Sequence, residues 1–436
     1  MMPMAGRNAV PLHIPARYMV VSVISLIAWI ALTPWMLPEV ISAPLSYPVI
    51  AWTHLLTLGC IGSMIIGASI QLVPVAMQTP FPAEKLAEWA WFLWIAGIVL
   101  FEIGFSREIL AILAPGATML GIVLLGYALA ITTMFRRSPQ RDTVAWHLLA
   151  ASWLSVVGFV LGWLLALTNV NGILGGQLLP ILAAHIIVMM VGWVTLTLLG
   201  VGYKLIGMFT LAERQLDQAR ANISGFFVTA GVLTMLCGIV TSLDRLVATL
   251  GAGLIAWGVL LAALEITRMY QKRMRRTIDV HMPFAITAWL VLLMASFALI
   301  SLTFEANPLA NRLTSATIWL VFAGAFLVAI QGFFYKISTF LIWLKTYAPL
   351  AGKVTVPQLD AMYDRRLAFA GLIAWTASVL AIAAMLLDWL PLWWGWSMGL
   401  WLGGILFVIN ISRIAQHWRG PIAPTSSPPT PRLSRT

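Results

Sequence analysis

Long apolar segments recur from one end of the 436-residue chain to the other. A membrane-spanning α-helix needs about 20 predominantly apolar residues, and twelve segments of that kind are separated by turns rich in Pro, Gly and Asn. Hydrophobic residues make up 61% of the sequence and charged residues 9%, whereas a soluble domain carries about 25% charged residues. The pattern excludes a water-soluble globule and predicts an all-α polytopic membrane protein.

Twelve spans are predicted, numbered one to twelve along the chain. They are residues 17–38, 47–77, 86–105, 109–135, 143–168, 177–209, 221–243, 247–270, 282–303, 313–347, 367–387 and 390–414. The first is counted as a span because no small-residue cleavage site follows it. We therefore expect a cytoplasmic N-terminal segment (1–16), a twelve-helix transmembrane domain (17–414) and a disordered cytoplasmic tail (415–436) rich in Pro, Ser and Thr.

The positions of the basic residues explain the formal charge of +11. Lys and Arg fall in alternate loops and at both termini, and only Arg107, Arg245 and Arg312 fall in the other set of loops. The positive-inside rule then predicts a bacterial-type cytoplasmic (inner) membrane protein with both termini in the cytoplasm. The charge indicates orientation, so the lipid bilayer is an expected partner and nucleic acid is not. Cys60 and Cys237 lie in apolar segments without a CxxC motif, as buried structural cysteines do.

Spans two, six and ten are longer than a bilayer requires, and their inner ends are similar in sequence. Those ends read GASIQLVP (67–74), GVGYKLIGMF (200–209) and QGFFYKISTF (331–340). One interpretation is that the three helices extend past the headgroups, where Lys204 and Lys336 snorkel to water. The other is a threefold arrangement of four-helix units, with spans two, six and ten lining the interior.

Two histidines lie at the same predicted depth inside the membrane. His54 and His185 each follow the outer start of their span by about eight residues, which places both about 12 Å below the outer helix ends. Ionisable groups at membrane depth are candidates for function, and two neutral imidazoles from facing helices can bind one metal ion or haem iron. Nearby glycines would admit either a flat macrocycle or a neighbouring helix: Gly59, Gly62, Gly67, Gly192 and Gly200.

Further ionisable residues provide weaker candidates. His147 and His281 lie near the cytoplasmic starts of spans five and nine and form a candidate second metal or haem site, or they are solvated at the interface. Glu102 in span three is a candidate proton-handling group, while Glu265 can simply pair with Arg268. The chain has no GxxxxGK[ST], HExxH or GxSxG motif, which excludes P-loop, zinc-protease and α/β-hydrolase chemistry of those kinds. Catalytic residues are not identifiable from the sequence.

Two segments resemble a known family. They are THLLTLGCIGSMIIGASIQLVPV (53–75), with His54, and AHIIVMMVGWVTLTLLGVGYKL (184–205), with His185. Together with twelve spans and the threefold pattern, they resemble subunit I of the haem-copper oxidases, in particular the C-type cytochrome c oxidase and nitric oxide reductase branch, and the related NnrS-type membrane proteins. The resemblance implies an oxidase-subunit-I-like fold, His54 as an axial ligand of a b-type haem, and His185 as a ligand of copper.

The chain departs from that family at other ligand positions. Span seven (221–243) has no histidine, and span ten (313–347) has Ile318, Trp319 and Leu320 where the family has a histidine pair. A chain without those ligands cannot assemble the usual haem-copper pair, and the NnrS-type relatives are associated with haem and nitric oxide stress without the full ligand set. The resemblance then implies a haem protein, with copper as the other candidate cofactor, in electron transfer or nitric oxide handling, served by a cytochrome or quinol donor and other membrane subunits. If the chain is an enzyme, it is an oxidoreductase. The alternative is a cofactor-free transporter or assembly protein that retains the fold.

Overall fold

The computed structural model describes residues 10–241, 245–275, 279–304 and 308–421, and these contain no β-strand. Within them, twelve helices are long and apolar enough to cross a membrane, which confirms the predicted number. They are α1 His13–Ser42, α2 Tyr47–Ala76, α3 Glu84–Ser106, α4 Leu110–Arg137, α5 Thr143–Asn171, α6 Gly175–Thr210, α7 Gln218–Val240, α8 Arg245–Gln271, α9 His281–Leu302, α10 Asn311–Thr346, α11 Arg365–Leu386 and α12 Trp394–Arg419.

The two predicted flanking segments are partly helical. The first helix already begins at His13, inside the predicted segment 1–16, and the last continues to Arg419, inside the predicted tail 415–436. Residues 1–9 and 422–436 lie outside the described part of the chain. The disorder expected for the tail beyond residue 421 therefore stays a prediction.

Capping residues explain where several helices begin and end. Asp142, Asp217 and Asp364 precede α5, α7 and α11, and their carboxylates accept hydrogen bonds from backbone N–H groups of the first turn. The left-handed conformation of Gly172, with φ of 68°, ends α5 at the predicted Asn-Gly turn. The helix ends that carry the aspartates and most of the basic loops lie on one side, here named the basic end; the other is the opposite end.

The three long helices form the interior of the bundle. The central apolar windows of α2, α6 and α10 are 83%, 61% and 67% buried, against 50% or less in the other described spans. Each long helix also contains a π-helical segment: Leu55–Gly62, Val188–Thr195 and Leu320–Phe326. π segments inside α-helices are often found at functional sites. The predicted role of spans two, six and ten as interior helices agrees with this burial.

Glycines at matching positions bring each long helix against the helix before it. Counted from the start of each π segment, the matching residues are Gly59, Gly192 and Gly324, followed by Gly67, Gly200 and Gly332. A Cβ atom added to the second set would lie closer than 3.0 Å to the Cβ atoms of Tyr18, His147 and Phe284, respectively. The first set faces Ser25, Leu154 and Val291, each seven positions further along those helices. These glycines therefore serve helix packing and do not border a macrocycle.

The same order of helix contacts occurs in each set of four consecutive helices. We name α1–α4, α5–α8 and α9–α12 groups one, two and three. Within every group the first helix packs on the second, the second on the third and the third on the fourth. The groups adjoin through α4 with α5, α8 with α9, and α12 with α1, so the chain closes into a ring around its long helices.

Candidate functional site

The structure brings His54 and His185 together where groups one and two adjoin. Their imidazole centroids are 6.4 Å apart, and the ring planes differ by 23°. Both residues are partly buried. The matched depth predicted from the sequence therefore corresponds to a direct pairing of two side chains.

Backbone carbonyls orient both imidazoles in the same way. His54 Nδ1 lies 2.8 Å from the carbonyl oxygen of Ile50, and His185 Nδ1 lies 2.8 Å from that of Gly158 in α5. A carbonyl oxygen only accepts hydrogen bonds, so Nδ1 must be the donor and Nε2 carries the lone pair. Neither Nε2 has a hydrogen-bond partner among the described residues. This arrangement is typical of histidines that bind a metal through Nε2.

Aromatic rings and a glycine surround the pair. The ring of Phe101 in α3 is 4.8 Å from that of His54, and Phe105 is 6.4 Å away. On the other side, a Cβ added to Gly162 of α5 would lie 2.7 Å from His185 Cε1. The absence of a side chain at Gly162 thus permits the position of the His185 ring.

The contact between groups one and three contains an equivalent ring pair. Counted from the π segments, Trp52 matches His185 and Trp319 matches His54. The Trp52 and Trp319 rings are 6.5 Å apart with planes 12° apart, close to the geometry of the histidine pair. One contact between groups therefore holds two indoles where the next holds two imidazoles.

The match extends to the carbonyl groups that hold these rings. Trp52 Nε1 donates to the carbonyl oxygen of Trp29 over 3.2 Å, just as His185 donates to that of Gly158. The Trp29 indole stacks on Trp52 at 5.0 Å and fills the contact between groups one and three. Gly158 has no side chain, and the thioether of Met189 lies against it instead. A methionine side chain is unbranched and flexible. It therefore fills the contact between groups one and two less rigidly than the Trp29 indole fills the contact between groups one and three.

The available donor set limits which cofactor could bind. Among the described residues, no group of three or more His, Cys, Asp or Glu is placed to hold a metal ion. A protein-bound zinc ion takes at least three side-chain ligands, whereas a haem already supplies its macrocycle nitrogens and needs only axial ligands. His54 and His185 alone fit the axial ligands of a haem. Copper would need a further donor, and Met189, one turn beyond His185, is a soft ligand on the same helix.

His147 and His281 have separate surroundings at the basic end. His147 Nδ1 donates to Thr143 O over 2.8 Å, and its buried Nε2 has no partner and faces Gly225. His281 is buried with both ring nitrogens unpartnered, and its ring contacts that of Phe209 at 5.4 Å. Both histidines contact α6, His147 through Tyr203 and His281 through Phe209, but no contact joins the two imidazoles. Their predicted role as a shared site has no contact to support it in the described part of the chain.

The two intramembrane glutamates differ in their partners. Glu265 is buried and accepts hydrogen bonds from Arg268, the shorter one over 2.8 Å, and from the backbone N–H of Asp217. This confirms the expected pairing of Glu265 with Arg268. Glu102 is partly buried, and its Oε1 has no partner among the described residues. A proton-handling role for Glu102 remains a prediction.

The sequence pattern does not predict the buried ion pair between Lys336 and Asp279. Lys336 Nζ lies 2.5 Å from Asp279 Oδ2, and the side chains are 4% and 3% exposed. The expectation that Lys336 snorkels to water is therefore wrong, because Asp279, two residues before the start of α9, is buried against it. Lys204, at the matching position, does reach a partly exposed partner, Glu213, at 2.8 Å.

The sequence matches no protein-family model and no curated protein. The chemistry of the site must therefore be inferred from its own residues. Those residues are a pair of partly buried imidazoles at membrane depth, each with Nδ1 engaged and Nε2 available. By its architecture, the chain is a polytopic membrane protein with twelve candidate spans among the described residues.

Proposed function

We propose that the chain is a membrane haem protein with an oxidase-subunit-I-like threefold arrangement, in which His54 and His185 bind one haem iron. The observation that carries the proposal is the pairing of their rings with both Nδ1 atoms held by carbonyl groups. These hydrogen bonds fix the tautomer and increase the basicity of Nε2. A b-type haem, held without covalent attachment, agrees with the lack of a CxxCH motif.

The separation of the rings supports a shared iron. Two residues can hold the same metal or cofactor only if their side chains lie close together. The centroids of His54 and His185 are 6.4 Å apart. The resemblance to oxidases would instead give the two histidines to different metals. Their proximity favours a single iron over a separate haem and copper.

Two axial histidines favour electron transfer over reaction with a gas. A haem held by both His54 and His185 would supply one-electron chemistry here, with both imidazoles taken up in holding it. For nitric oxide handling, His185 is the residue whose surroundings could adapt more easily, because the flexible Met189 lies against Gly158 beside it. We therefore propose electron transfer as the primary role and nitric oxide handling as a second.

The proposed setting is a bacterial-type inner membrane with the basic end in the cytoplasm. The basic loops support this orientation by the positive-inside rule. The histidine pair would then lie near the outer face, where a cytochrome or quinol and other membrane subunits could exchange electrons with it. The cofactor-free alternative is supported by the glycines, which pack helices together and do not border a macrocycle.

Absorption spectroscopy of the purified full-length protein tests the proposal. We expect a Soret band and, after reduction, sharp α and β bands typical of two axial histidines. His54→Ala and His185→Ala should each abolish the reduced low-spin spectrum. His13→Ala is the matched control, because His13 is an exposed histidine paired with Glu88 far from the site.

A folded, colourless wild-type protein produced with ample haem would overturn the proposal. Elemental analysis of the same sample separates the remaining outcomes. One iron per chain supports the shared site, whereas copper without iron would assign the two imidazoles to a copper ion and reject the haem.

A further inference from the structure

A second cluster of ionisable groups lies at the basic end, away from the histidine pair. The last turn of α6, the end of α8 and the start of α9 enclose a small pocket. Its lining includes Phe209, Tyr270, Arg273, Asp279 and His281. Nothing in the proposed haem site uses these residues, so the inference below does not depend on that site.

His281 is the least satisfied polar residue of this pocket. It is 2% exposed, and neither ring nitrogen has a hydrogen-bond partner among the described residues. The Nε of Arg273 is likewise buried without a partner. Buried polar atoms are nearly always hydrogen-bonded, and an unsatisfied one indicates a missing water, ion or ligand. These two residues offer N–H donors to one small pocket, while its buried acceptor, Asp279 Oδ1, lies 3.0 Å from Arg275, so the unmet need is for an occupant that accepts hydrogen bonds.

The charges around the pocket indicate the sign of that occupant. Asp279 is neutralised by Lys336 at 2.5 Å and by Arg275 at 3.0 Å. Burial alone raises the pKa of Asp279, but the hydrogen bond and charge of Lys336 and the charge of Arg275 outweigh it and lower the pKa. The carboxylate is therefore ionised and already paired.

The remaining charges leave the cluster positive. Asp360 lies 3.9 Å from Arg275, and burial together with the nearby Asp279 raises its pKa. Three cationic side chains, Arg273, Arg275 and Lys336, thus face two carboxylates. This excess of positive charge repels a metal cation and attracts an anion.

Matching positions in the other groups show that packing does not require a histidine here. The carbonyl groups nearest to Gly67, Gly200 and Gly332 belong to Pro15, Val144 and His281, respectively. In groups one and two, this position is therefore occupied by residues whose side chains form no hydrogen bonds. The polar side chain is particular to group three, where the positive cluster also lies.

We propose that this pocket binds a small monovalent anion through the His281 ring N–H and the Arg273 Nε–H. Charge-assisted hydrogen bonds from such donors are the usual means of holding an anion in a protein. The site would lie at the cytoplasmic side in the proposed orientation. A phosphate group of an inner-leaflet lipid offers the same chemistry from a second source.

Thermal unfolding of the full-length protein in detergent tests the site. The midpoint is measured against sodium nitrate and sodium chloride concentration, with ionic strength kept constant by sodium gluconate. A ligand that binds only the folded state raises the midpoint in a saturable way. We expect saturation in the wild type and an increase of about tenfold or more in Kd for His281→Ala and Arg273→Gln.

His147→Ala is the matched control variant. His147 is also a buried histidine at the basic end with an unpartnered Nε2, but it packs against Gly225 and Tyr203. It should keep the wild-type Kd. If His281→Ala does not fold, the partly exposed Arg273→Gln carries the test alone.

The outcomes separate the two sources of the anion and the failure of the inference. A saturable nitrate or chloride effect that His281→Ala weakens supports a free anion. No such effect, combined with a stabilisation by phosphatidylglycerol nanodiscs over phosphatidylcholine nanodiscs that His281→Ala removes, assigns the anion to lipid. Equal Kd values in wild type and both variants, or no saturation with either probe, overturns the site whatever the haem content.

Discussion

The imidazoles of His54 and His185 lie 6.4 Å apart at the same place in the repeat where Trp52 and Trp319 lie 6.5 Å apart. The position of the pair is thus a property of the fold, whereas the imidazoles are particular to one contact between groups. In the tryptophan contact, Trp29 fills the adjacent space. In the histidine contact the corresponding residue is Gly158, and only the thioether of Met189 lies there.

Gly162→Val should displace the His185 ring and abolish haem binding. A Cβ atom at this position would approach His185 Cε1 to 2.7 Å, closer than side chains tolerate. The ring would have to turn away and lose its hydrogen bond to Gly158. We expect the Soret absorbance per protein to fall by about tenfold or more, because loss of the hydrogen bond that orients a ligating histidine lowers metal affinity by about 10–100-fold.

Gly126→Val is the control for that substitution. An added Cβ at Gly126 has no atom within 4 Å, so the same change of residue type should leave the spectrum intact. Full haem content in folded Gly162→Val would contradict the geometry proposed for His185.

The glycines that repeat at the basic end should be intolerant of alanine. Gly67→Ala, Gly200→Ala and Gly332→Ala each place a methyl group against a Cβ atom of the preceding helix. Overpacking of this kind costs about 1–3 kcal/mol. We expect each variant to lower the free energy of unfolding by that amount, measured by denaturant titration in mixed micelles.

Open glycines on other helices provide the comparison. Gly126→Ala and Gly253→Ala meet no neighbouring atom, and loss of glycine from a helix stabilises it by about 0.5–1 kcal/mol. Equal changes in unfolding free energy for all five variants would contradict the close approach of the helices at Gly67, Gly200 and Gly332.

Much of the fold could be predicted because apolar length and helix rise are strong signals. Twelve spans followed from runs of sufficient length, and the shared depth of His54 and His185 followed from a constant rise per residue. The Tyr-Lys pairs at 203–204 and 335–336 also lie at matching distances from their π segments, as the repeat required.

Other features could not be predicted because they depend on which helices meet. No residue pattern predicts a π segment. The equivalent positions of Trp52 and His185 relative to their π segments are therefore seen only in the structure. The glycine stripe allowed two interpretations until the neighbouring Tyr18 and Ser25 were located. The pairing of Lys336 with Asp279 joins residues far apart in sequence, and Lys336 alone looked like any lysine at a helix end.

Lys336→Met should destabilise the protein strongly. The substitution leaves the Asp279 carboxylate buried with one of its two cationic partners removed. Breaking a buried ion pair costs about 3–5 kcal/mol, and we expect the lower end because Arg275 still contacts Asp279. The double variant Lys336→Met with Asp279→Asn removes the unpaired charge and should recover most of the loss.

Lys204→Met is the matched control at the equivalent position. The Lys204 and Glu213 side chains are 32% and 49% exposed, and exposed ion pairs contribute about 0–1 kcal/mol. Equal losses of unfolding free energy for Lys204→Met and Lys336→Met would show that burial of the group-three pair has no energetic consequence.

The stability contributed by Asp279 should also depend on pH in one direction. Burial alone raises the pKa of Asp279, but the hydrogen bond and charge of Lys336 and the charge of Arg275 outweigh it, so the folded-state pKa lies below the ordinary value of 3.8. A carboxyl whose pKa is lowered by folding stabilises the folded state fully above its unfolded pKa and loses that effect as pH falls through the folded value. We expect the difference in unfolding free energy between the wild type and Asp279→Asn to be constant from pH 7 down to about 5 and to shrink below about pH 4. A difference that instead shrinks as pH rises above 7 would contradict protonation of Asp279 as the event that breaks the pair.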